Sequence, residues 1–461
     1  MLFQRTTQRM FLTLMCLTMT LIASAAYADG FRAPFQDANA AAQSLAFTAQ
    51  ADNPSAVHYN PAGMTQLPGF QHSVGIQFVS PNTTFTSPTG VTVENDVGGP
   101  VGLPPPGQVF FTFNLNQFDI GFLRNLAIGL GLESLFGFAN EYPANGPFSG
   151  ALVRAQLPVI AIKPTFAYKV DDYLSLGLGA DIYTFASFLG EGQSETQSIA
   201  LGNIPGTMPG QRLELNGKGT TAGLNVSVLL TPLRNSGGKP LVNLGFIWRS
   251  QVVLPLDGEL RADGALVATT NSSIKFPETF EWGLAWWPIR NSEREWKVES
   301  DLHWVRWQTI RNFDVTLSNG VIIPNPQSWH NALTVAFGTE YRWLTVTRLP
   351  DWEVSARAGY ARSHTPVPDA NFNPAFPDSN NHTLGIGVGF LCTGQGLFLG
   401  LIQCGQNGAG MLIRKAIELD LSFNAILWDN RTVTNAPAPL GINGTYKTRT
   451  YAGTFTVVVK F

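Results

Sequence analysis

Between Ala416 and Trp428 the chain changes face at every residue. Ile417, Leu419, Leu421, Phe423, Ala425 and Leu427 fall on one side, and Glu418, Asp420, Ser422 and Asn424 on the other. A strand points successive side chains to opposite faces, so this period of two marks a strand with one apolar and one polar face. The pattern recurs in 173–184 with Leu174, Leu176, Leu178, Ala180 and Ile182, and again in 332–343 and 352–360. It recurs last in 446–461, where Tyr451, Gly453, Phe455, Val457, Val459 and Phe461 oppose Ala452, Thr454, Thr456, Val458 and Lys460. A half-buried soluble sheet has this period, and so does the wall of a transmembrane barrel. Such a wall must close, because every backbone group in hydrocarbon needs a partner.

Composition separates the two. Charged residues make up 13% of the chain, against roughly 25% in ordinary soluble domains. Forty-six glycines, 31 phenylalanines and 11 tryptophans accompany them, as suits a barrel with an apolar, aromatic exterior. After the N-terminus no apolar run reaches the ~20 residues of a spanning helix. A net charge of −3 argues against nucleic acid as a partner.

Arg5 and Arg9 precede an apolar run, 10–26, that ends in Ala26-Tyr27-Ala28. This is the layout of a secretory signal peptide over 1–28, with Asp29 the first mature residue. Cys16 lies in that apolar run. The two cysteines left after export, Cys392 and Cys404, read as one disulfide. No CxxC pair is present, and neither a metal nor a cofactor is expected.

Residues 29–71 differ from the rest. An alanine-rich stretch, then Asn53-Pro54 and Asn60-Pro61, read as short helices and turns. Phe31, Phe35, Leu45, Phe47, Val57 and Tyr59 give this segment something to bury. From His72 to Phe461 the pattern is strand, loop, strand, with about fourteen strands, an even number as closure requires. The connections 169–173, 233–239, 289–294 and 346–351 are short; those near 191–215, 256–279, 311–331, 362–382 and 429–445 are long. The expected fold is therefore all-β: an antiparallel transmembrane barrel with an N-terminal plug, short turns on the periplasmic side, and the Cys392–Cys404 pair stapling a long turn there.

An ordered series of segments resembles the FadL-type outer-membrane transporters of long-chain fatty acids and other hydrophobic compounds. It begins with Asn60-Pro61-Ala62, the family's NPA motif. It continues through LAIGLGLESLFGFANEYP at 126–143, PTFAYKVDDYLSLGLGADIY at 164–183 and LDGEL at 256–260. FPETFEWGLAW at 276–286, DLHWVRW at 301–307, and RAGYARSHTPVPDANFNPAFPDSNNH at 357–382 follow, with GTYK at 444–447 and the terminal Phe461. The resemblance implies a fourteen-stranded barrel whose N-terminal hatch blocks the lumen. It implies a kinked third strand beside the NPA motif that opens a lateral gap, and passive release of cargo sideways into the membrane. On that basis Asn60, Pro61 and Ala62 would lie at the opening. Gly129, Gly131 and Gly137 would let the third strand bend. Phe31 and Phe35 would line a binding pocket at the mature N-terminus, or else only anchor the hatch. Where the family's fourth strand often carries an arginine after a glycine, this chain reads SGALVRAQL; Arg154 is the nearest cation, and the departure weighs against carboxylate recognition and toward a neutral hydrocarbon. Expected partners are fatty acids or aromatic hydrocarbons, outer-membrane lipid and lipopolysaccharide, and the barrel-assembly machinery through Phe461, with the protein a monomer.

Monoaromatic hydrocarbons and alkanes are alternative cargoes, and a lipid hydrolase or a general porin are alternatives of another class. Six histidines are present, at 58, 72, 303, 330, 364 and 382, and none sits in a motif that names a nucleophile. Glu299, Asp301, His303, Glu340, Arg342, Glu353, Arg357, Glu418 and Asp420 read instead as lumen groups that pair with one another and with the hatch.

Overall fold

The computed structural model describes residues 30–33, 35–96, 107–118, 120–185, 192–406, 413–437 and 440–461. The expected signal peptide, with its cleavage site, lies outside them. The largest sheet has sixteen strands, two of which, Thr92–Glu94 and Arg431–Val433, are short extensions at the rim. The other fourteen form the wall. They are β1 (Phe70–Thr86), β2 (Gly107–Asn114), β3 (Leu126–Glu133), β4 (Val159–Lys169), β5 (Leu174–Phe185), β6 (Thr221–Arg234) and β7 (Pro240–Arg249). Then come β8 (Thr279–Arg290), β9 (Arg294–Val305), β10 (Ala332–Trp343), β11 (Trp352–Ser363), β12 (Asn381–Thr393), β13 (Ala416–Trp428) and β14 (Gly444–Lys460). Each is antiparallel to its neighbour, and β1 pairs with β14 from Gln71↔Lys460 to Thr86↔Thr445, which closes the barrel. The wall begins at Phe70, two residues before the expected His72.

The alternation sorts as a membrane barrel requires. On β13, Leu421 and Phe423 are 38% and 48% exposed on the outside, while Asp420 and Asn424 are fully buried inside. Leu384, Ile386 and Val388 on β12 continue the outward apolar band. The inward charges are paired: Arg357 with Glu340 at 2.5 Å and with Asp420, and Lys297 with Glu299 at 2.7 Å.

Inside the wall lie α1 (Ala38–Ala42), α2 (Ala56–Tyr59) and a 3-10 turn, Pro61–Gln66. Asp37 caps α1 by accepting from Ala40 N–H at 3.3 Å, and Asn60 caps the 3-10 turn, whose first residue is Pro61. Helices this short have no stability of their own; the wall holds them. Asp301 accepts from the amides of Phe47 and Thr48 at 3.0 and 2.9 Å, and Glu299 from Ala49 at 2.7 Å. Asn424 and Asn243 donate to the Ala41 and Ala49 carbonyls at 2.7 and 3.1 Å. The lumen charges thus satisfy backbone groups that the short elements leave unpaired.

Of the stretches expected as long loops, 256–279 is largely strand and 191–215 contains two strands. Ser194–Ile199, Arg212–Gly217, Val252–Ala262 and Ala265–Phe276 belong to a second, eight-stranded antiparallel sheet at the long-loop end. Several of the Gly, Asn and Thr residues taken as loop signals, among them Gly258, Thr270 and Asn271, sit inside its paired strands. Cys392 and Cys404 are joined in a disulfide with Cα atoms 5.6 Å apart, at the end of the barrel that carries the short turns.

Candidate functional site

The N-terminal segment meets the wall where β3 ends. Through Glu133 the strand is fully laddered, pairing with Ala161 of β4. It then leaves the sheet, while β4 runs on to Val159 against β5. At the departure point the N-terminal segment takes the place of a neighbouring strand. Ala33 N–H donates to Leu135 O at 2.7 Å, Gly137 N–H donates to Phe31 O at 3.1 Å, and Arg32 bridges Phe136.

That pairing aims Phe31 into a nest of six aromatic rings: Phe136, Phe138, Phe276, Trp307, Trp329 and Phe376, with centroids 4.9 to 6.3 Å away. All six are edge-on to Phe31, a geometry that aromatic quadrupoles favour. Phe31 is 4% exposed. Its neighbour Arg32 turns the other way and pairs with Glu281 of β8, which also holds Arg249 at 3.2 Å. Beside them Glu133 accepts from His58 Nδ1 and from Lys163 Nζ, each at 2.9 Å. Burial pushes the His58 imidazolium down to about 4, against the pull of Glu133, so the ring is neutral at pH 7. An apolar, ring-shaped nest therefore lies next to a belt of mutually neutralised charges.

The sequence-predicted residues divide. Phe31 centres the nest. Phe35 lies in a separate cluster with Leu45, Phe47 and Tyr59 and serves to pack the hatch. Asn60 faces β6: its amide donates to Thr48 O at 2.8 Å and to Val228 O at 3.1 Å, and Ala62 N–H donates to Ser227 Oγ at 2.9 Å. Pro61 and Ala62 press on Gly177 of β5. The residues that face β3 are instead Val57 and Met64. Gly129 and Gly131 do not bend that strand, since both pair in register with β2 and β4. They make room: a β-carbon on Gly129 would come 2.5 Å from Met64 Sδ and 2.7 Å from Val57 Cγ2. Arg154 lies on the second sheet, nearly half exposed and 4.0 Å from Glu141. Trp307, Trp329, Phe276 and Phe376 escaped the sequence reading, as did Arg32 and Glu281. The nearest signal was the Phe-rich 276–286 segment, and nothing in the spacing tied it to Phe31.

At the short-turn end a cavity of about 280 Å³ opens between the hatch and the wall, lined by Asp52, Gln66, Ser175, Thr231 and Arg290 among others. It is polar where the Phe31 nest is apolar.

A closed fourteen-strand barrel with polar lumen, apolar exterior and an internal N-terminal plug defines an outer-membrane barrel protein. The chain belongs to the outer membrane protein transport family (OMPP1/FadL/TodX), whose model matches residues 19–397. The long-chain fatty acid transport protein of Escherichia coli (strain K12) is 21% identical over 420 residues, covering 81% of this chain and 87% of that one. In fold, the chain is similar to a Pseudomonas aeruginosa FadL homologue, with a TM-score of 0.69 at 16% identity over 94% of this chain and 99% of that one. It is also similar to the Ralstonia pickettii toluene transporter TbuX, with a TM-score of 0.57 at 14% identity over 89% and 94%.

Proposed function

We propose that this chain takes hydrophobic molecules, long-chain fatty acids or similar lipophiles, passively into the outer membrane and releases them sideways where β3 leaves the wall. The carrying observation is the six-ring nest around Phe31, which adjoins that departure point through Leu135 and Gly137. Cargo entering the nest displaces Phe31 and with it the strand-like pairing that seals the wall. Release through the floor would lead a lipophile into the polar cavity beside Asp52 and Arg290. Each methylene exposed there costs about 0.8 kcal/mol, whereas lateral release keeps that surface dry.

A monoaromatic cargo is supported by a separate observation. The nest's present occupant is a phenyl ring, and the arginine beside it, Arg32, is engaged by Glu281. A neutral ring fits this setting without a carboxylate partner. Catalysis has no support in the geometry: Asp301 is committed to hatch amides, and the relatives are named as transporters.

A fatty acid carrying a diazirine on its chain, fed to intact cells and irradiated, tests the route. Labelling should fall on Leu135, Phe136 and Leu157 and spare Gln66 and Thr231. The reverse pattern would favour passage through the hatch. Parallel uptake of labelled oleate and toluene decides the cargo.

A further inference from the structure

The disulfide at the short-turn end does more than close a loop. Cys392 has the same parity on β12 as the exposed Leu384, Ile386 and Val388, so it points out of the barrel. From there the chain folds back as a small hairpin, Leu397–Phe398 paired with Ile402–Gln403. Phe398 and both cysteines pack on Ile417, with Trp352, Leu419 and Val457 around them. Ile417 and Leu419 share the outward parity of Leu421 and Phe423 on β13. The hairpin therefore lies against the outside of the wall, at the depth of Trp352, and not across the lumen mouth.

Its other side is bare. Leu397, Leu399, Leu401 and Ile402 are 53%, 72%, 84% and 46% exposed. No charged residue occurs between 395 and 403. Its backbone is largely satisfied internally: Leu401 N–H donates to Phe398 O at 3.1 Å, and Cys404 N–H to Gly396 O at 2.8 Å. Hydrocarbon demands that satisfaction, and water does not. The exposed leucines continue the lipid-facing band of β12 and β13. Trp343 and Trp296, 42% and 38% exposed near the same end, mark the interfacial level. Lys415, exposed just beyond the hairpin, stands where a cation meets anionic headgroups.

We infer that this disulfide-stapled hairpin is a membrane-binding element, seated among the phospholipid acyl chains of the periplasmic leaflet, with Leu399 and Leu401 as its inserted tip. The staple holds it against the wall so that the four apolar side chains face lipid. Unstapled, an apolar tip of this kind would be free to swing into the periplasm.

The test uses the full chain, oxidised, in liposomes of phosphatidylethanolamine and phosphatidylglycerol. A benzophenone amino acid replaces Leu401; the same probe at Ile386 is the lipid-exposed control, and at Asp171, in a turn at the same end, the water-exposed control. Heat-modifiable migration confirms that each barrel is folded. On irradiation the 401 probe should yield a phospholipid adduct on the scale of the 386 probe and about tenfold above the 171 probe, as expected for an inserted apolar tip. In Cys392→Ala/Cys404→Ala protein the adduct at 401 should drop toward the 171 level while that at 386 holds. No lipid adduct at 401 with a strong one at 386 overturns the inference. So does a cross-link at 401, in cells, to a second copy or to a periplasmic protein. An adduct unchanged without the disulfide would remove the staple from the positioning role.

Discussion

Gly129 and Met64 touch across the boundary between wall and hatch, with no space for a methyl group between them: a β-carbon on Gly129 would stand 2.5 Å from Met64 Sδ. Gly129→Ala should therefore push the 3-10 turn off β3, at about 1–3 kcal/mol of local stability, as overpacking typically costs. Hydrogen exchange at the amides of 62–66 should quicken, and a second change, Met64→Ala, should restore it. Unaltered exchange in Gly129→Ala would show that Met64 swings aside at no cost.

Asp301 carries two hatch amides. Hydrogen bonds to a charged acceptor are worth about 1.5–3 kcal/mol each, so Asp301→Ala should loosen the 44–51 loop. The loop already holds Ser44, Leu45 and Ala51 at positive φ, a strained arrangement that wall contacts must sustain. Ion conductance in planar bilayers should rise from a near-closed baseline into brief openings. Removing residues 30–69 should give a steadily open pore. A wild-type channel already as conductive as the deletion would refute the plug.

Burial raises the Asp37 carboxyl to about 6, against the lowering pulls of Asn53, the Ala40 amide and Arg357. The folded hatch therefore binds a proton that the free segment, with an ordinary value of 3.8, releases. Hatch stability should fall as pH rises from about 4 to about 6 and level off above. Asp37→Asn keeps a capping side chain and should remove that slope. The readout is the local opening free energy of α1 amides by hydrogen exchange, corrected for the intrinsic pH dependence.

Phe31→Ala should vacate a ring-sized apolar space and weaken attachment of the N-terminal segment, by about 3 kcal/mol on the scale of buried Phe→Ala changes. Dry apolar cavities of this kind take up small aromatics. Purified Phe31→Ala protein should retain benzene or toluene by native mass spectrometry at concentrations where wild type does not. Equal retention would mean that Phe31 does not hold the cargo's place.

Much of the wall was legible because its signal is local: Ala416–Trp428 states both faces within thirteen residues. The cysteine pair was legible for the same reason. The nest was not. Phe31, Phe136, Phe276, Trp307, Trp329 and Phe376 are scattered across the chain, and only closure brings them together. The second sheet was hidden by its turn-rich composition. Strands such as Arg212–Gly217 do alternate polar and apolar residues, but over only six positions set among Gly- and Pro-rich turns. Glycines in β3 suggested a bend, whereas their part is steric: the Cβ they lack is the space Val57 and Met64 use. Periodicity tells which way a side chain points and not what stands opposite it.

The ladder from Gln71↔Lys460 to Thr86↔Thr445 joins the earliest wall strand to the latest. Loop-closure entropy makes that the most remote seam in the fold, and until it forms, β1 and β14 each present unpaired backbone to their surroundings. Insertion therefore has a completeness check written into its geometry. A chain interrupted just before β14 can ladder thirteen strands and still carry two raw edges into lipid. Each unpaired group on those edges costs free energy that hydrocarbon cannot return.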